Sequence, residues 1–294
     1  MNELQGAGVA LVTPFQADGS IDFDTLGQLI DHQIEGGMDY LVSLGTTGET
    51  ATLTAAERKD VWKFTADKTN GRVPLVAGIG GNNTAEIAQQ VGSFDIAGYH
   101  AILSVSPYYN KPSQEGIYQH YKALSEASRL PLILYNVPSR TGSNITPETT
   151  VRLARDFANI VATKEASGNF DQFSKIMRDK PADFVLISGD DGVTLPMMAL
   201  GAVGSISVIA NAFPAYVSRL VHLCLERKYE EAQLIHSQLL HITDLCFAEG
   251  NPSGVKSFLS QLGIGLPDVR LPLVRASAQL ASATQKALEG FKGQ

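Results

Sequence analysis

Cysteine is nearly missing from this chain. Cys224 and Cys246 are its only two among 294 residues. Both fall in helix-like segments, at no metal-ligand or redox spacing, so buried free thiols are expected rather than a disulfide framework. Positive charge is also short: 23 Lys and Arg face 30 Asp and Glu, a net charge of −7. No basic patch is present to follow a nucleic-acid backbone, and no nucleic-acid partner is expected. Long hydrophobic runs are lacking too. The run at residues 9–12 meets Thr13-Pro14, too short for a signal segment or a membrane span. The N-terminus carries no basic region, so a soluble cytoplasmic protein with no membrane partner is expected. The six histidines, mostly in helix-like segments, form no metal triad. His236 and His241, five apart, share a helix face poorly.

What the chain has instead is alternation. Hydrophobic residues are 44% and charged residues 18%, a globular composition. Short apolar runs at residues 8–12, 40–44, 75–77, 101–105, 132–135, 160–163, 185–188 and 205–209 recur about every 25–30 residues, the length of one strand–helix unit. Most are apolar throughout, which suits a parallel sheet buried on both faces. Between them, residues 22–35 place Phe23, Leu26, Leu29, Ile30 and Ile34 on one helical face. Thr54-Ala55-Ala56-Glu57 reads as a capping box, and Thr146-Pro147 as an N-cap followed by Pro at the first helical position. This repeated alternation predicts an α/β fold, a (β/α)8 TIM barrel, in preference to an open doubly wound sheet. After Phe213 the strand pattern stops, and residues 216–226, 230–247, 252–262 and 272–291 read as helices. The predicted organisation is a catalytic barrel over residues 1–225 and an appended C-terminal helical region over 226–294.

In such a barrel the chemistry lies at the C-terminal ends of the strands. Lys164 closes the sixth run, with its stem among Ile160, Val161 and Ala162. Scarce water there disfavours the charged ammonium, and a neutral amine is a nucleophile that condenses with a ketone to form a Schiff base. The plain alternative is a strand-capping Lys that snorkels to solvent. The neighbouring strand ends supply a matching set. Gly45-Thr46-Thr47-Gly48 offers hydroxyls and backbone N–H groups for a carboxylate. Tyr135 and Tyr109 are phenols able to donate and accept protons. Arg140 is a fork for a second carboxylate. Other signals are weaker: Gly78-x-Gly80-x-x-Asn83 is an incomplete dinucleotide fingerprint, and Asp190 and Asp191 read first as caps of the following helix.

Gly45-Thr46-Thr47-Gly48-Glu49, Tyr135-Asn136-Val137-Pro138 and Lys164-Glu165-Ala166 occur in order at barrel spacing. With these motifs the chain resembles the pyruvate-dependent Schiff-base aldolase and N-acetylneuraminate lyase family from Gly8 to the C-terminal helices. Within it, the Thr46-Thr47 doublet, Ser139-Arg140-Thr141-Gly142 and Pro107-Tyr108-Tyr109-Asn110-Lys111-Pro112 resemble the branch that joins pyruvate to aspartate 4-semialdehyde. The sugar-acid branch, which cleaves N-acetylneuraminate or 2-keto-3-deoxy sugar acids, is the alternative. A non-catalytic barrel that senses a keto acid or amino acid is a reading from another class, and the intact Lys and Tyr positions count against it.

The resemblance implies that Lys164 forms the pyruvate imine, that Thr46 and Thr47 hold the pyruvate carboxylate, and that Tyr135 is the general acid/base. Thr46 would link Tyr135 to Tyr109, which reaches in from a neighbouring subunit of a homotetramer. Arg140 would hold the second substrate, Gly189 and Ile206 would line the pyruvate pocket, and Asn251 would support it. The iminium would serve as electron sink, with no cofactor and no metal. Asn82, Glu86 and Tyr108 match an effector site for lysine, although Ala55 and Arg58 stand where sensitive members carry His. Gly254 replaces a Pro common in the family.

Overall fold

The computed structural model describes residues 4–292, so the first three and last two residues of the predicted barrel and helical region lie outside the described residues. Eight strands form the centre: β1 (Gly6–Ala10), β2 (Tyr40–Ser43), β3 (Leu75–Gly78), β4 (Tyr99–Val105), β5 (Leu132–Asn136), β6 (Ile160–Glu165), β7 (Val185–Ser188) and β8 (Gly204–Ser207). They pair in parallel, each with the next, and β8 returns to β1 to close a barrel. The alternation of short apolar runs with amphipathic segments therefore specifies a TIM barrel, as expected.

Every strand except β7 differs from its apolar run by one or two residues at an end, and at β1 and β8 tertiary hydrogen bonds set the new limits. β1 begins at Gly6, whose N–H donates to Val203 O across the closing seam. It ends at Ala10, beyond which the Val12 N–H turns to Asn211 Oδ1 at 3.0 Å. β8 stops at Ser207 because the N–H groups of Val208 and Ile209 both donate to the carboxylate of Asp191. β6 runs on through Lys164 to Glu165, one residue beyond the lysine that was expected to close it.

Around the barrel stand α1 (Phe23–Glu35), α2 (Ala55–Thr69), α3 (Thr84–Gly92), α4 (Gln114–Ala127), the short α5 (Pro138–Thr141), α6 (Pro147–Asp156), α7 (Phe170–Asp179), α8 (Thr194–Ala199) and α9 (Pro214–Leu225). The helix starts follow local chemistry. Asp22 caps α1 by accepting from Thr25 N–H, Thr54 and Glu57 form the reciprocal capping box of α2, and Thr146 caps α6 ahead of Pro147. Apolar side chains divide into two layers. One fills the barrel interior with Tyr40, Val42, Leu103, Ile133, Ala162, Ile187 and Ile206. The other lies between strands and helices, and extends into the C-terminal elements.

Those elements are α10 (Tyr229–Phe247), α11 (Ser253–Gln261) and α12 (Ala278–Lys292). α10 packs on α8, α9, α11 and α12. The last helix begins at Ala278, not at Pro272. Residues 272–277 stay irregular because Arg275 pairs with Asp268, the Ser277 N–H donates to Glu249, and Ser277 Oγ accepts from Leu280 N–H as an N-cap. Gly254 in the first turn of α11 is the one departure that packing explains directly. A Cβ there would lie 2.5 Å from Leu245 O and 2.6 Å from Cys246 O, so glycine lets α11 rest on the backbone of α10. Both cysteines are free and buried, and burial pushes the Cys224 thiol up to about 11. No helix among the described residues is long and apolar enough to cross a membrane.

One buried histidine gives the fold an acid-sensitive point. His120 on α4 is buried, with Nδ1 2.9 Å from Thr84 Oγ1 and no partner for Nε2 among the described residues. Burial lowers its pKa to about 4. In the unfolded chain an imidazole takes up its proton near 6.5, so the unfolded state binds more protons between the two values. Stability is therefore complete at neutral pH and falls as pH drops from about 6.5 towards 4. His120→Leu is expected to narrow the gap between urea midpoints measured at pH 7 and pH 4.5. An unchanged gap would remove His120 from this role.

Candidate active site

Barrel register brings the candidate residues together. Tyr135 on β5 pairs directly with Lys164 on β6, and Lys164 pairs with Ile187 on β7. Lys164 is 4% exposed, and its Nζ lies 4.4 Å from the centre of the Tyr135 ring. Among the described residues it makes no hydrogen bond or ion pair, so the amine faces the cleft unengaged. Its stem fits because a glycine follows directly on the next strand, β7. A Cβ on Gly189 would lie 2.9 Å from both Cγ and Cε of Lys164.

A buried acid just behind the lysine holds the end of β6. Glu165 accepts from Asn136 Nδ2 (3.1 and 3.0 Å), Gln172 Nε2 (2.9 Å) and Ser167 N–H (2.9 Å). Burial pushes its carboxyl up, and these four donor contacts oppose the shift. Asn136 Oδ1 in turn accepts from Ile145 N–H, tying the β5 exit to the same network. In the sequence, Glu165 and Asn136 stand out only as members of the motifs around Lys164 and Tyr135. A buried acid beside a strand-end lysine was the available signal.

The cleft above Lys164 has a volume of about 660 Å3 and is lined by Thr46, Thr47, Tyr135, Arg140, Gly189 and Asn251 among others. Thr46 to Gly48 form a 3-10 turn after β2. The Thr47 hydroxyl accepts from Asn251 Nδ2 at 2.9 Å, while the Asn251 Oδ1 is buried with no partner among the described residues. Arg140, on α5, is exposed at the rim, and its guanidinium pairs with no described residue. Ile206 lies in the barrel interior with Ala162 and Ile187 and does not line the cleft.

Tyr109 stands apart from this group. Its side chain is 88% exposed, its φ is +71°, and it lines neither cleft of its own chain. The hydroxyls of Thr46 and Tyr135 make no hydrogen bond among the described residues, so the expected Tyr135–Thr46–Tyr109 link is not formed within one chain. Asp190 and Asp191 do not act as an acid pair. Asp190 accepts from Gly192 N–H as a cap, and Asp191 is buried under Val208 and Ile209.

A second cleft of about 500 Å3 adjoins the first and shares Thr46, Val137, Arg140 and Asn251 with it. Asn82, Glu86, Tyr108 and Arg58 line it. Asn82 Nδ2 donates to Tyr108 O at 3.1 Å, and Arg58 donates to Leu53 O at 2.9 Å. Among the described residues no three His, Cys, Asp or Glu side chains are grouped to hold a metal ion.

One polar group near the cleft was missed in the sequence. Glu49, which ends the Gly-Thr-Thr-Gly-Glu motif, forms an ion pair of 2.6 Å with Lys256 on α11. Burial pulls the Lys256 pKa down to about 8, against the opposing pull of Glu49. A lysine set between Val255, Phe258 and Leu259 on a short helix was the signal that would have found it.

The geometry invites comparison with known proteins. The family model described as "Dihydrodipicolinate synthetase family" matches residues 3–290. A 4-hydroxy-tetrahydrodipicolinate synthase of Parabacteroides distasonis is 54% identical over 271 residues, 92% of this chain and 91% of the relative. The crystal structure of dihydrodipicolinate synthase from Aquifex aeolicus superposes with a TM-score of 0.95 at 39% identity, covering 98% of each chain. A structure of the enzyme from Cyanidioschyzon merolae with lysine bound gives a TM-score of 0.94 at 37% identity, again covering 98% of each.

The close approach of Gly189 to Lys164 generates a direct test. Gly189→Ala is expected to push the lysine stem aside, costing about 1–3 kcal/mol of stability and lowering kcat/KM for a keto acid roughly 10²-fold. Urea unfolding and steady-state kinetics check both values, and wild-type kinetics in the variant would contradict the fit described.

Proposed function

The chain belongs to the dihydrodipicolinate synthetase family, and from that membership we infer that it is a Schiff-base lyase that condenses pyruvate with L-aspartate 4-semialdehyde to 4-hydroxytetrahydrodipicolinate, in lysine and diaminopimelate biosynthesis. The observation that carries this reading is the unengaged amine of Lys164, buried beside the Tyr135 ring in a cleft that also presents Thr46, Thr47 and Arg140.

The Lys164 amine adds to the pyruvate carbonyl, and loss of water leaves an iminium. Thr46 and Thr47 hold the carboxylate. The iminium draws electrons from the adjacent methyl carbon, which loses a proton to give an enamine. Its carbon then forms a bond to the aldehyde carbon of the semialdehyde. The amino group of that second substrate attacks the iminium carbon, closes the ring and releases Lys164. Tyr135 moves protons in these steps, since a phenol both donates and accepts. Arg140, free at the rim, holds a carboxylate of the second substrate. Gly189 and Asn251 support the keto-acid pocket, and Ile206 forms packing beneath it. Catalysis in this reading lies on residues 1–225, with residues 226–294 as its support, in a cytoplasmic protein.

Tyr109 is exposed on its own chain, which supports its delivery into the cleft of a second copy, within a homotetramer. Asn82, Glu86 and Tyr108 make up a candidate effector site for lysine. Arg58 in the same cleft works against a cationic effector unless a carboxylate such as that of Glu86 intervenes. Sedimentation and rate measurements with added lysine test both points. A fully active monomer would dismiss the first, and a rate indifferent to lysine would dismiss the second.

Borohydride reduction in the presence of pyruvate is expected to add mass at Lys164, and none in Lys164→Ala. Arg140→Ala is expected to retain the adduct while losing roughly 10²-fold or more in kcat/KM for the semialdehyde. Full adduct yield in Lys164→Ala would overturn the nucleophile assignment. Equal losses in imine formation and semialdehyde use would take Arg140 out of the second-substrate role.

A further inference from the structure

The turn that carries Thr46 and Thr47 is gripped from two directions. From the β1 side, Thr13 Oγ1 donates to Gly48 O at 2.7 Å. From the C-terminal region, Lys256 Nζ donates to Glu49 Oε1 at 2.6 Å, and the Arg270 backbone N–H donates to Glu49 Oε2 at 2.9 Å. The side chains of Glu49 and Lys256 are 0% and 2% exposed. Lys256 spends another proton on Asp268 O at 2.7 Å, and its Nζ sits 4.3 Å from the ring centre of Phe15. The Arg270 guanidinium lies over the same ring at 4.6 Å. Phe15 follows directly on Thr13-Pro14, so the ring that receives both C-terminal cations lies next in the chain to the residue that makes the other grip.

Glu49 has a left-handed backbone, with φ +53°. A non-glycine residue keeps that conformation only where its surroundings enforce it. Its N–H closes the 3-10 turn by donating to Thr46 O at 3.1 Å. Movement of the Glu49 side chain would therefore open the turn that presents both threonine hydroxyls. A buried ion pair is a poor source of net stability, because desolvation offsets its attraction, but it admits few geometries. Lys256 lines neither cleft, so any effect it has on substrate passes through another group.

We propose that Lys256, through its buried pair with Glu49, is a positioning residue that holds the Thr46-Thr47 turn in the shape that receives a keto-acid carboxylate. The role of that carboxylate rests on the function inferred above, whereas the rigidity of the turn does not.

The test uses the full-length protein. The double variant Glu49→Gln/Lys256→Met removes both charges together and leaves no unpaired charge buried. Glu49→Gln alone keeps the shape and one hydrogen bond. Hydrogen–deuterium exchange of residues 45–49 is followed without substrate, and KM is measured for pyruvate and for the semialdehyde. The double variant is expected to exchange at least tenfold faster across residues 45–49, with β6 unchanged. Its pyruvate KM rises at least tenfold, and its semialdehyde KM stays within twofold. Glu49→Gln shifts the same two readouts in the same direction, by less. Exchange and pyruvate KM both within twofold of the parent, or equal rises in both KM values, would overturn the proposal. Should the double variant fail to fold, Glu49→Gln decides by the same pair of readouts. A parent protein that uses neither substrate would defeat the inferred function, and the exchange measurement would still decide whether the clamp exists.

Discussion

Closure of the parallel barrel is the constraint on which the rest depends. Once β8 pairs with β1, every strand delivers its C-terminal end to one rim, and side chains far apart in the chain face a common cleft. Register then does the fine placement. Tyr135 and Lys164 are direct partners across β5 and β6. A one-residue slip would turn one of them away from the other. The Glu165 network pins that register from behind, because its carboxylate collects donors from β5, α7 and the β6 exit at once.

The rim also shows how a buried amine is left without a carboxylate partner among the described residues. A buried lysine normally finds a carboxylate, as Lys256 finds Glu49. Lys164 has a tyrosine ring beside it and a glycine beneath it instead. The acid next to it in sequence points into a different hydrogen-bond network. The two buried lysines thus divide two tasks: one pairs with a carboxylate and orders a turn, while the other stays unpaired and faces the cleft.

Much of this was legible in the residues. Continuous apolar runs announced strands buried on both faces, and Thr54-x-x-Glu57 and Thr146-Pro147 announced helix starts through purely local bonds. Lys164, Tyr135, Thr46, Thr47 and Arg140 could be selected because strand ends carry the chemistry of a barrel. Boundaries set by distant partners were not legible. β8 ends where Asp191 takes its amides, and α12 starts late because Arg275 and Ser277 are held by Asp268 and Glu249. That Tyr109 lines neither cleft of its own chain was equally closed to a reading of the sequence.

The chain by itself determined the elements, their order and the chemical types at each strand end, because periodicity, capping and turn chemistry act over a few residues. Only the tertiary structure decided which of those groups share a cleft, which buried charges meet, and why residue 254 is glycine. Those outcomes depend on contacts between segments as far apart as Glu49 and Lys256, where the separation in space is a hydrogen bond and the separation in sequence carries no pattern.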